Sequence, residues 1–282
     1  MTQRGSASDG PVVVRCRTCG GAVTQAYCGQ CGEARLHAGR APRDGPRAWL
    51  RRLHASLQAL ASPPGRLTRD WNDGRRTPYL SPLSLLLWTN VAFFIVQGLS
   101  GVSILSWPLQ IHVNNDILGL GVPLLAWRRM HGAPPEPTFT AAFEALESVH
   151  AKSLVVLMVP LLAVVPWLAE GGRRGRFAAW LAFAAHFFTY ALIALSALFP
   201  VVALTLGALA RAGVRPSANA VDVVVSSLEV LLVGWYLHRA LGTVGERTGP
   251  GRLLRTALLV IALAGILRLY HLAVFAVTLL AV

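Results

Sequence analysis

Four cysteines fall within sixteen residues, as CRTCGGAVTQAYCGQC. Cys16 and Cys19 form one C-x2-C pair, and Cys28 and Cys31 form a second, with a glycine after each pair (Gly20 and Gly32). Zinc takes four soft ligands in a tetrahedron, and two C-x2-C knuckles supply them. The glycines let the chain turn back so that backbone N–H groups face the thiolates. So short a segment buries too little apolar surface to fold alone. Metal binding, worth ~10–16 kcal/mol in comparable peptides, would supply its folding energy. Two disulfides or free thiols are the alternative, and cytosolic placement disfavours them. A redox C-x2-C centre fits less well, because two evenly matched knuckles have the form of a structural site. The expected role is docking or scaffolding. Nucleic acid is a disfavoured partner, since few basic residues lie between the knuckles.

A second set of chemistry-bearing residues lies inside long apolar runs, where a charge costs about 2.5–3.5 kcal/mol on insertion scales. Glu229 and Arg268 are expected to meet as an ion pair between two antiparallel segments, with His271 one turn from Arg268. Asp222, Ser226, Glu229 and Tyr236 share a helical stripe. His186 with Tyr190 and Asn90 with Gln97 complete a mid-membrane polar seam. This seam reads either as a conduction or proton-coupled path, with Glu229 and His186 titrating, or as helix glue that fixes packing. Paired broken helices and an inverted repeat, frequent in transporters, are not seen. No Gly-rich phosphate loop, G-x-S-x-G elbow or H-E-x-x-H occurs, so no catalytic residues are assigned and the chain does not read as an enzyme. His112, His131 and His150 are scattered.

The elements that hold these residues follow from composition. Of 282 residues, 54% are hydrophobic and 14% charged, against roughly 25% charged in soluble domains. This predicts an all-α membrane protein of about five transmembrane helices with a small N-terminal zinc-ribbon knuckle. The organisation is a tail and ribbon over 1–39, a basic juxtamembrane region over 40–78, and a helical bundle over 79–282. Spans are expected near 80–99, 154–169, 177–199, 220–241 and 256–281. Residues 117–127 are apolar but too short to cross, and read as re-entrant or interfacial. The helix beginning near Phe139 and Phe143 should run straight into the second span. Apolar sequence continues past Pro200, so the third span should kink or end along the surface.

Residues 47–61 place Leu50, Leu53, Leu57 and Leu60 on one stripe and Arg47, Arg51 and Arg52 off it. This is a basic amphipathic helix, suited to lie on a membrane surface or to pack on the ribbon or a partner. Arg66, Arg69, Arg75 and Arg76 extend the basic surface. The knuckle pattern, Pro64-Gly65, Arg69, Trp71, Gly74-Arg75-Arg76, Tyr79 and Pro82 together resemble the bacterial membrane proteins catalogued as domain of unknown function three-six-six-seven. The resemblance covers 16–32 and 63–99 and implies a zinc ribbon joined to several spans. It brings no activity. Family members tend to carry two histidines on the third span; here His186 fits the second, and Trp180 replaces the first.

Thirteen of the 26 basic residues precede Tyr79. With the N-terminus inside, lysine and arginine are concentrated in the cytoplasmic segments, which predicts an inner-membrane protein with its C-terminus outside. The first 15 residues lack an apolar h-region, so no cleaved signal peptide is expected. The implied partners are anionic lipid headgroups at the cytoplasmic face, a protein bound by the ribbon, and a second copy of the chain. The first reading is a ribbon-bearing membrane scaffold or regulator. The alternative is a small-solute or ion/proton transporter.

Overall fold

The computed structural model describes residues 14–16, 19–23, 28, 30, 45–100, 105–114, 119–172, 174–245 and 249–282. The two strands, β1 (Val14–Arg15) and β2 (Ala22–Val23), form a minimal antiparallel hairpin. Helices α1 (Pro46–Ala61) and α2 (Arg66–Asn72) precede α3 (Pro82–Ser100). Two short helices follow, α4 (Leu109–Asn114) and α5 (Gly121–Met130). Helix α6 (Thr138–Leu154) passes through one 3-10 turn (Val155–Leu157) into α7 (Met158–Ala169). Helices α8 (Arg174–Arg211), α9 (Ala218–Val244) and α10 (Pro250–Ala281) complete the chain.

Five of these units are long and apolar enough to cross a membrane: Pro82–Leu99, Thr138–Ala169, Arg176–Arg211, Asn219–Val244 and Pro250–Ala281. The second begins well before the span near 154–169. Its first turns carry Glu144, Glu147, His150 and Lys152, which interrupt the apolar run without breaking the helix. Helix α8 does not end or break into a separate surface piece at Pro200; it continues through the proline to Arg211. Its 38 residues extend about 57 Å at ~1.5 Å each, nearly twice the hydrocarbon thickness. Helix α5, at ten residues, is too short to cross, and it packs against α4 and α10.

The core is organised around α8. Residues 182–189 are buried without a break, so this stretch is enclosed on every side. Ala182, Ala184 and Ala185 let neighbouring backbones come close, while Phe183, Phe187 and Phe188 fill the gaps. Helices α3 and α7 cover two sides, and α1, α2 and α9 cover others. A second cluster, Leu109, Phe139, Phe143, Phe275 and Leu279, ties α4 and α6 to the end of α10. There Arg128 Nε donates to the Leu279 carbonyl (3.1 Å) and satisfies one of the last carbonyls of α10.

Candidate functional site

Three of the four cysteines lie together. The hairpin is closed by Cys16 N–H to Gly21 O (2.8 Å) and Gly20 N–H to Cys16 O (2.9 Å). Gly20 takes φ +76°, a conformation that a side chain would oppose. This turn brings Cys16, Cys19 and Cys28 within 4.8 Å of one another, sulfur to sulfur. The Cys19 and Cys28 sulfurs are 3.5 Å apart, well beyond the ~2.05 Å of a disulfide. Cys16 and Cys28 are buried and Cys19 is exposed. A convergent thiol set of this kind fits a soft metal ion. The fourth expected ligand, Cys31, lies outside the described residues.

The basic region is built into the bundle. Helix α1 turns Leu53, Ser56, Ala59 and Leu60 toward the protein and leaves Leu50 and Leu57 exposed, so its leucine stripe is split between two surfaces. Ser56 Oγ accepts the Leu80 N–H (2.9 Å), and Trp49 meets Trp88 of α3 edge-on at 5.3 Å. Helix α2 docks on α8 and α9. Gly65, at φ +86°, lies so close to α9 that a Cβ there would be 2.7 Å from the Ala240 carbonyl oxygen. Thr68 Oγ1 is 2.9 Å from His186 Nδ1, and both residues are buried. Asp70 accepts from the Tyr79 hydroxyl (2.7 Å) and lies 3.8 Å from Arg66 and 3.7 Å from Arg75. Burial first, then the Asp70 hydrogen bond and charge, push the Tyr79 hydroxyl up to about 12.

The arginines therefore divide. Arg52 donates to the Thr77 carbonyl (2.8 Å), Arg69 lies 3.9 Å from Asp73, and Arg76 stacks on Trp71 at 5.2 Å. Arg47 and Arg51 are exposed on α1.

The expected seam residues do not form one line. His186 belongs with Thr68 at the α2 end of the bundle, and among the described residues its buried Nε2 has no hydrogen-bond partner. Tyr190 stacks on Tyr236 at 3.8 Å, and Asn90 donates to the Lys152 carbonyl (3.2 Å). His271 instead stacks on Trp107 at 3.6 Å near the opposite end. Ser226 is exposed on α9. Among the described residues the Glu229–Arg268 ion pair is not formed. Glu229 shares the half-buried stripe of Val225 and Val233 on α9, whereas Arg268 shares the exposed stripe of Ile261 and Gly265 on α10. The Arg268 guanidinium lies 5.8 Å from the Trp107 ring centre.

A buried polar cluster absent from the sequence reading sits at the α4 end. Glu147 is 1% exposed. It accepts from the Ser106 hydroxyl and from the Trp107 N–H (2.8 Å), and His112 Nε2 is 3.4 Å away. This carboxylate pins the segment before α4 to α6. Its signal was present in the spacing: Phe139, Phe143, Glu147 and Ala151 fall every fourth residue, so Glu147 continues a buried stripe.

Residues 51–94 match the family model described as "Protein of unknown function (DUF3667)". The stretch takes in the end of α1, all of α2 and most of α3, and it bears out the family resemblance carried by Gly65, Arg69, Trp71, Arg75, Arg76 and Tyr79. No curated protein and no solved structure matches the chain.

Proposed function

We propose that the protein is a membrane-embedded scaffold or regulator that presents a zinc-bearing cysteine knuckle to a protein partner. The observation that carries this reading is the convergence of Cys16, Cys19 and Cys28 in a knuckle joined through the chain to α1, itself clamped on the bundle. Completed by Cys31, the thiolate set would favour zinc and would fix the fold of a segment too short to hold itself. The bulk of arginine before α3 would place this end at the cytoplasmic face of an inner membrane, beside anionic headgroups. The conduction reading calls for a continuous polar line, and the separation of His186 from His271 favours scaffold over transporter.

The test combines metal analysis with crosslinking in cells. Purified full-length protein under reducing conditions should hold close to one zinc per chain. A neighbour crosslinked to the wild type should be lost in Cys16→Ser/Cys19→Ser at equal membrane abundance. A metal-free wild type, or crosslinked neighbours unchanged by the double variant, would refute the proposal.

A further inference from the structure

The three described thiols of the knuckle differ in access. Cys16 and Cys28 are 6% and 2% exposed, whereas Cys19 is open to solvent. Yet the Cys19 sulfur lies 3.5 Å from the Cys28 sulfur. A sulfur that a dissolved reagent reaches therefore sits against one that it does not. The two belong to different C-x2-C pairs, so a bond between them would cross the knuckle rather than close either pair. The chain has four cysteines, all between Cys16 and Cys31, so an oxidised Cys19 finds its resolving thiol within the knuckle. The separation serves two chemistries. Thiolates around one tetrahedral zinc stand about 3.8 Å apart when each Zn–S bond is about 2.3 Å. Without the ion, an approach of roughly 1.5 Å brings the pair to the ~2.05 Å of a disulfide.

We propose that Cys19 and Cys28 are a peroxide-sensitive pair whose oxidation unloads the knuckle. The Cys19 thiolate attacks one oxygen of hydrogen peroxide. The O–O bond breaks, the sulfur becomes a sulfenic acid, and the departing hydroxide takes up a proton as water. The Cys28 thiolate then attacks the Cys19 sulfur. An S–S bond forms, and the sulfenic hydroxyl leaves and takes up a proton as a second water. Two thiolates give up two electrons, and one peroxide is reduced to two waters. An ion held by four sulfurs keeps only two and is released. The segment loses the metal that holds its fold, and a partner docked on it is let go. Where thiols are kept reduced, such a disulfide is a transient signal rather than a structural bond. The release step rests on the zinc-bearing reading of the knuckle; the pairing itself rests on the exposure and spacing of the two sulfurs.

The test titrates the full chain in lipid nanodiscs, loaded with zinc and freed of reductant, with hydrogen peroxide. Released zinc is read with a chromogenic chelator. Thiols are mapped by differential alkylation and peptide mass spectrometry. The wild type should lose its zinc in step with two thiols, and the linked peptides should join Cys19 to Cys28. Cys19→His keeps a zinc-ligating side chain but has no sulfur to oxidise, and it should hold its zinc at peroxide doses that empty the wild type. If that variant takes up no zinc, the wild-type map alone decides. Linkage of Cys16 to Cys19 or of Cys28 to Cys31 instead overturns the proposal. So does a wild type that keeps all its thiols while free glutathione in the same sample is oxidised, or a zinc-loaded Cys19→His that empties as fast as the wild type. A wild type that purifies without zinc yet links Cys19 to Cys28 upholds the pair and refutes the zinc-bearing reading instead.

Discussion

Gly65→Ala isolates the docking of α2 on the bundle. Two costs arise in the structure. The φ of +86° costs an L-residue roughly 1–2 kcal/mol. The added Cβ would also stand 2.7 Å from the Ala240 oxygen and 2.8 Å from its Cα. Those are backbone atoms of a packed helix and cannot rotate away, so α2 must move off α9 at about 1–3 kcal/mol. Together they predict a destabilisation of ~2–5 kcal/mol. In detergent this lowers the apparent melting temperature by on the order of 5–15 °C, and the 62–80 segment becomes sensitive to trypsin at Arg66, Arg69, Arg75 and Arg76. Gly98→Ala is the control: it lies within α3 with nothing within 4 Å of the new Cβ. There alanine should be neutral or stabilising by up to ~1 kcal/mol. If Gly65→Ala melts and digests like the wild type, the close approach of α2 to α9 is refuted.

Three further outcomes follow from the same geometry. Tyr79 holds its proton up to about 12 in the folded chain, against 10.0 ordinarily. The folded value is raised, so this contribution is intact below pH 10 and is lost as pH rises toward 12; melting curves between pH 9 and 12 should show a shallower decline in Tyr79→Phe. Glu147→Ala leaves the Ser106 hydroxyl and the Trp107 N–H without their acceptor in a buried site. A loss of about 3 kcal/mol or more, with new protease cleavage between 105 and 120, is expected, and Glu147→Gln should retain much of the difference. Cys28→Ser removes one of three converging thiols, so metal content by plasma emission should fall several-fold while the bundle melts as before.

The long helices were legible because lipid imposes a length and a composition that few other environments demand. The knuckle was legible because ligand spacing is itself the geometry of a turn. Three features were only partly so, each for a physical reason. The second apolar unit runs from Thr138 to Ala169, as expected of a helix that continues into the span, but Glu144, Glu147 and Lys152 lower the hydropathy of its first turns and hide how much of it belongs to the span. Helix α8 runs on through Pro200 to Arg211, and whether a helix survives a proline is decided by the packing around it rather than by the residue itself. Helix α2 lies in an arginine-rich stretch, yet its Thr68 and Asp70 are buried. Their partners are His186, 118 residues away, and Tyr79. Only tertiary packing reveals the first of these.

The inward-facing polar residues change what the arginine-rich stretch can do. From Arg47 to Arg76 the chain carries seven arginines against Asp70 and Asp73. Asp70 is bracketed by Arg66 and Arg75, Asp73 faces Arg69, and Arg52 is held by a carbonyl. The exposed pairs are worth little as stability, but they fix where the guanidinium groups stand. Seven mobile arginines would form a diffuse cationic cloud; five of these are set on two docked helices and Arg75 and Arg76 on the turn after α2, with Leu50 and Leu57 exposed beside Arg51 and His54. At about 1 kcal/mol per basic residue near an anionic surface, the net excess would draw this segment toward such a surface. The family-matched stretch therefore holds α1 and α2 on the bundle through glycine, threonine, aspartate and tyrosine and presents most of its arginine outward.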